Sequence, residues 1–202
     1  SFFNEAQHSL PLQVVDYSCR SDYYLPYAKV IHTGTEAEES VSSDFHLGVF
    51  IDVFPLDNMS DNYNDAKKLF NSLSLYRDVL TLKNLKHRDG RSFIKNAIVA
   101  LGNVFLKLLP VSFLTATIDK KARKNEKKEN VQYLANAVLG VYGEREIMPS
   151  QWWSTNIKAE FEGHEFLAPM EYDKILSQLY GDYMKLPPVE KRITHHAFKV
   201  WW

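Results

Sequence analysis

The sequence predicts a mixed α/β domain with a helical middle, on three observations. Short runs rich in aromatic and β-branched residues stand near the start of the chain. A nearly continuous apolar run follows at 47–57, and apolar residues then recur at helical spacing between about 62 and 126. A chain of 202 residues that is 45% apolar can bury a sizeable core and is not disordered. One cysteine excludes a disulfide scaffold. Neither a cysteine pair nor a His-x3-His spacing offers a structural zinc site.

Residues 12–17 read as a short strand, and 23–31 as another that Pro26 demotes towards an edge or bulge. The polar, acidic stretch 33–44 reads as a surface loop. The run 47–57 reads as a central strand ended by Pro55. Helices are expected at 62–86, with Asp61 or Asn62 as N-cap, at 91–109, stopping before Pro110, and at 113–126. The stretch 132–142 is mixed, broken by Gly140 and Gly143. A hairpin is expected at 157–167 around Glu162-Gly163-His164. A last helix should begin at Pro169 and close at Gly181, and Pro187-Pro188 begins an extended tail. The two terminal tryptophans, Trp201 and Trp202, are expected to pack rather than fray. The chain opens without Met, a basic n-region or an apolar h-region. No signal peptide is therefore expected, and the chain is expected to begin inside a longer protein.

A net charge of −1 argues against a general nucleic-acid binder. It also hides an asymmetry. The window from Lys83 to Lys128 holds twelve basic and three acidic residues, a balance of +9, against −10 for the rest. Charge segregated so strongly implies a partner on the basic side.

Asp52 is the residue that local pattern singles out. On a strand, Val49, Ile51 and Val53 face one side and Phe50, Asp52 and Phe54 the other. A carboxylate between two phenylalanines needs a partner. It either accepts hydrogen bonds from backbone or a buried arginine, or it serves as a metal ligand or base at a strand end. Asp57, after the proline, reads as a turn or cap residue.

The stretch Gly48-Val49-Phe50-Ile51-Asp52-Val53-Phe54-Pro55-Leu56-Asp57 resembles the core motif of the LicD family of phosphocholine transferases, relatives of the fukutin proteins. Supporting stretches stand in the family's order: 23–30 with Thr33 and Thr35, 166–173, 179–184, and 186–192 with His195 and His196 just beyond. The resemblance covers nearly the whole chain. It implies one transferase domain over 1–202, with a nucleotidyltransferase-like mixed sheet, a helical insertion and a helical C-terminal part. In such proteins three carboxylates bind Mg2+ or Mn2+, two from an Asp-rich motif and the third from the next core strand. Asp52 corresponds to the third, and the Asp-rich pair is absent from these residues. The resemblance therefore implies an N-terminal truncation and a polypeptide inactive as it stands. It further implies CDP-choline as donor and a sugar hydroxyl of a lipopolysaccharide or teichoic acid precursor as acceptor. The alternatives are transfer of another phospho-alditol group, such as ribitol or glycerol phosphate, and a non-catalytic binding or scaffold domain.

Other residues carry two readings each. Lys29 either meets the donor phosphate as a point charge or snorkels from an edge strand. Arg192 suits bidentate phosphate contact, and His195 and His196 suit proton transfer from the acceptor, unless all three form a polar surface without a role. Trp152 and Trp153 form either a cation–π wall for a quaternary ammonium or part of the core. Residues 97–114 are the most apolar part of the chain, within a helical, basic-flanked segment at 91–128. With Asn103, Lys107 and Pro110 inside, this stretch is a poor membrane span. It is either an in-plane element on an anionic bilayer or a buried helical hairpin. The first reading places the protein in the cytoplasm, peripheral at the inner face of the cell membrane.

Overall fold

The computed structural model describes residues 11–20, 22–39, 47–84, 109–192 and 198–201. It has mixed helices and several small antiparallel sheets, as an α/β mixed fold requires. Two compact units divide it, one within Ser1–Pro55, Leu75–Lys120 and Thr194–Trp202, the other within Leu56–Ser74 and Lys121–Ile193.

The first unit is built on three antiparallel strands in the order β1 (Leu12–Val15), β2 (Ala28–His32) and β4 (Phe50–Val53). The strand β2 therefore lies in the middle, and it starts two residues after Pro26, whose missing N–H would interrupt the ladder. The strand expected to be central, 47–57, instead yields β4, which pairs with β2 alone among the described residues. Within the expected loop at 33–44, β3 (Glu36–Glu39) pairs with the strand Phe198–Trp201, which holds Trp201 in a sheet, while Trp202 lies outside the described residues. Val15, Tyr23, Ile31 and Leu47 form the core of this unit, with Tyr17, Leu25 and Phe50 packed against it.

Two helices contribute to this unit. The helix α1 (Tyr63–Asn84) supplies residues 75–84. Asn62 caps α1 as expected, its Oδ1 accepting from the backbone N–H of Asn64 at 2.8 Å and of Asp65 at 3.3 Å. The helix α2 (Val111–Ala122) supplies residues 111–120. It is pinned by the buried Thr115 hydroxyl, which donates to the Tyr24 carbonyl at 2.6 Å. The Tyr17 hydroxyl, donating to Asp119 at 2.9 Å, makes a second tie. The helix expected at 91–109 lies outside the described residues, apart from its final residue. Among the described residues no helix is long and apolar enough to cross a membrane.

The second unit holds the sheet β5 (Asp57–Ser60), β6 (Tyr133–Ala135) and β7 (Met148–Pro149). Asp57 is buried at the start of β5 rather than exposed at a turn. The Asn125 amide donates to the Met59 carbonyl, which locks β5 against the 3-10 turn Arg123–Asn125. The hairpin β8 (Asn156–Phe161) and β9 (His164–Pro169) turns at Glu162 and Gly163. Both have positive φ, 51° and 79°, which glycine adopts without strain. Pro169 ends β9 instead of opening the last helix, α3 (Tyr172–Tyr180), and Gly181 closes α3 at φ 74°. Gln178 on α3 donates to the carbonyls of Arg145 and Ile147, docking the helix on that loop.

Candidate functional site

The antiparallel register sets Lys29 of β2 directly opposite Asp52 of β4. Alternation then gathers Tyr27, Lys29 and Ile31 with Phe54, Asp52 and Phe50 on one face of the sheet. The opposite face of the β4 segment is open, with Val49 at 43% and Ile51 at 71% exposure. The alternation inferred for 49–54 is thus the one observed.

Lys29 Nζ lies 2.7 Å from Asp52 Oδ1. This is an ion contact without the directional geometry of a hydrogen bond. The same ammonium sits over the Phe50 ring at 3.2 Å from its centroid and 5.8 Å from that of Tyr27. Tyr27 and Phe54 pack as a tilted pair at 4.8 Å. The two charged groups differ in burial: Lys29 is 4% exposed, whereas the Asp52 side chain is 32% exposed. Lys29 is therefore on the central strand and buried, and it does not snorkel from an edge. Asp52 Oδ1 is buried and accepts no hydrogen bond among the described residues, which leaves the ammonium as its partner. Beside the pair, the buried Tyr23 hydroxyl donates to the Tyr27 carbonyl at 2.8 Å. Burial first, then the neighbouring Tyr27 and Asp52, push this phenol above its ordinary range, so it stays protonated.

Gly48 sits where three segments of this unit converge. The Thr35 hydroxyl donates to the His32 carbonyl at 2.9 Å and accepts from the Val49 N–H at 2.8 Å. A Cβ at Gly48 would fall 2.0 Å from the His32 carbonyl oxygen, so only glycine fits. An open depression of about 480 Å³ adjoins this crossing, lined by Thr33, Gly34, Thr35, Glu36, Leu47, Gly48 and Trp201. Neither Asp52 nor Lys29 lines it. Nothing in the sequence marks this depression, because Trp201 reaches it only through pairing with β3.

The remaining expected site residues fall elsewhere. Trp152 and Trp153 are half-buried in a 3-10 turn (Ser150–Trp153) of the second unit. The Trp153 Nε1 is buried and has no acceptor among the described residues. Arg192, also in the second unit, is exposed, and its Nε donates to the Pro187 carbonyl at 2.7 Å, folding the tail on itself. His195 and His196 lie outside the described residues.

Among the described residues no group of three or more His, Cys, Asp or Glu side chains is placed to hold a metal ion. Asp52 offers one carboxylate whose Oδ1 already faces an ammonium. Mg2+ takes several oxygen ligands, so the described residues alone do not fit it.

The chain is similar to the lipopolysaccharide cholinephosphotransferase LicD of Haemophilus influenzae, at 29% identity over 157 residues, or 73% of this chain and 55% of that protein. It thus spans about half the length of the curated relative it matches. This likeness supports a LicD-family relationship. No protein-family model matches the chain, and no solved structure does.

Proposed function

We propose that this chain is part of a phosphocholine transferase that moves the phosphocholine group of CDP-choline to a sugar hydroxyl of a lipopolysaccharide. The observation that carries this reading is the likeness to LicD. The placement of Asp52 agrees with it: a strand carboxylate whose side chain is 32% exposed, with Oδ1 restrained by Lys29. In this reading Asp52 meets the reacting groups, and His195 or His196 takes the acceptor proton. Mg2+, when bound, supplies charge neutralisation at the phosphate oxygens. It would take Asp52 as one ligand and needs others beyond the described residues. The basic-flanked segment would bring the protein to an anionic membrane surface bearing the acceptor.

A second reading, a binding domain without transfer chemistry, is favoured by one observation. The Asp52 charge is already balanced inside the chain by Lys29.

The test is CMP release from CDP-choline in the presence of Mg2+ and lipopolysaccharide lacking phosphocholine, using the protein in its full natural length. Release that drops about a hundredfold in Asp52→Asn supports the transferase. Undiminished release in that variant removes Asp52 from the reaction. Absence of release with CDP-choline, CDP-ribitol and CDP-glycerol alike favours the binding domain.

A further inference from the structure

A buried ammonium must be compensated where it lies. Lys29 projects from the central strand, its side chain is 6% exposed, and its Nζ is fixed from two sides. Asp52 Oδ1 stands at 2.7 Å and the Phe50 ring centroid at 3.2 Å. Swinging this ammonium out to meet an external anion would break the ion contact and the cation–π contact together. It would also bring into water a four-carbon stem that is now buried. The register allows no easier partner, because Lys29 and Asp52 are directly opposite across a ladder anchored from Ala28↔Val53 to Ile31↔Phe50.

We propose that Lys29 is the resident cation and positioning residue of Asp52, so that this carboxylate faces outward through Oδ2 alone and takes up an added divalent cation only weakly. Lys29 acts on Asp52, not on the donor. The ammonium commits Oδ1, fixes the carboxylate's rotation and cancels its charge. Any divalent ion then meets a one-oxygen ligand with a positive charge behind it. This adds to the misfit between the described donor set and Mg2+: the place beside Oδ1 is already filled by the chain's own cation. The inference rests on the transferase reading for the use to which Asp52 is put, and not for the pairing itself.

Mn2+ alone is the probe, its binding to the folded chain read by electron paramagnetic resonance without any turnover. Wild type is expected to bind it weakly, and Lys29→Met at least about tenfold more tightly, because a positive charge within contact distance of Oδ1 is gone. Lys29→Arg, which keeps the charge, should stay weak. The gain should vanish in Lys29→Met/Asp52→Asn. Binding by Lys29→Met no tighter than wild type overturns the proposal, as does a gain that survives in the double variant. Should Lys29→Met fail to fold, the wild type itself decides. The 15Nζ–1H signal of Lys29, visible only for an ammonium shielded from exchange, must be present, and it must be lost in Asp52→Asn. Its absence from the wild type refutes the pairing. A transferase assay without turnover changes none of these outcomes, and a failed Mn2+ result leaves the transferase assay standing.

Discussion

Removing Asp52 should cost more stability than removing Lys29, although the two form one ion pair. The asymmetry follows from their burial. Asp52→Asn leaves an ammonium on a residue only 4% exposed, with the neutral amide and the Phe50 ring as its remaining company. Lys29→Met keeps the stem's volume and leaves a carboxylate whose side chain is 32% exposed and hydrates through Oδ2. Breaking a fully buried pair by deleting one partner costs about 3–5 kcal/mol, whereas an exposed pair contributes about 0–1 kcal/mol. This pair is buried at one end only, which puts Asp52→Asn at about 2–3 kcal/mol and Lys29→Met at about 1 kcal/mol. The double variant should cost about 1–2 kcal/mol less than the sum of the singles, since it strands neither charge. Urea denaturation at pH 7 measures all four proteins, with midpoint and m-value read together. A Lys29→Met that costs more than Asp52→Asn would refute the reasoning. So would single effects that add to within about 0.5 kcal/mol, since uncoupled sites behave that way.

Gly48→Ala should destabilise the first unit by about 3 kcal/mol or more, because the new Cβ would stand 2.0 Å from a backbone oxygen that cannot rotate away. The same urea titration checks it, and a change under about 1 kcal/mol would show that the His32–Thr35 turn yields. The pH dependence has a defined sign at Asp16. Burial raises its pKa, but hydrogen bonds from Ser18 and Cys19 outweigh that and hold it below the ordinary 3.8. A depressed folded value means that this stabilisation is present above the unfolded value and is lost as pH falls through the folded one. Wild type should therefore lose stability relative to Asp16→Asn as the pH falls below about 4, in urea midpoints taken from pH 6 to pH 2. A constant difference across that range would remove Asp16 from the acid response.

Much of the local structure is legible residue by residue. Asn62 caps a helix whose apolar spacing is plain, and Glu162-Gly163 turns a hairpin between two alternating runs. The alternation of Phe50, Asp52 and Phe54 against Val49 and Ile51 gives the correct faces, and with them the need of Asp52 for a partner. The errors share a cause, which is pairing between segments remote in sequence. Glu36–Glu39 carries the composition of a loop, and becomes a strand because Phe198–Trp201 lies beside it. Asp57 follows a proline as a cap would, yet β6 takes it into a buried ladder.

The candidate site divides along the same line. Local chemistry decides that Asp52 cannot stand alone between phenylalanines, since desolvation penalises an uncompensated carboxylate wherever the strand goes. The expected partners were backbone, a buried arginine or a metal ion, and the one observed is Lys29. Strand period is a property of each segment alone, so it could be read from the chain. Register between β2 and β4 is a property of two segments packed on a common core, and a slip of one residue would have faced Asp52 with a different side chain.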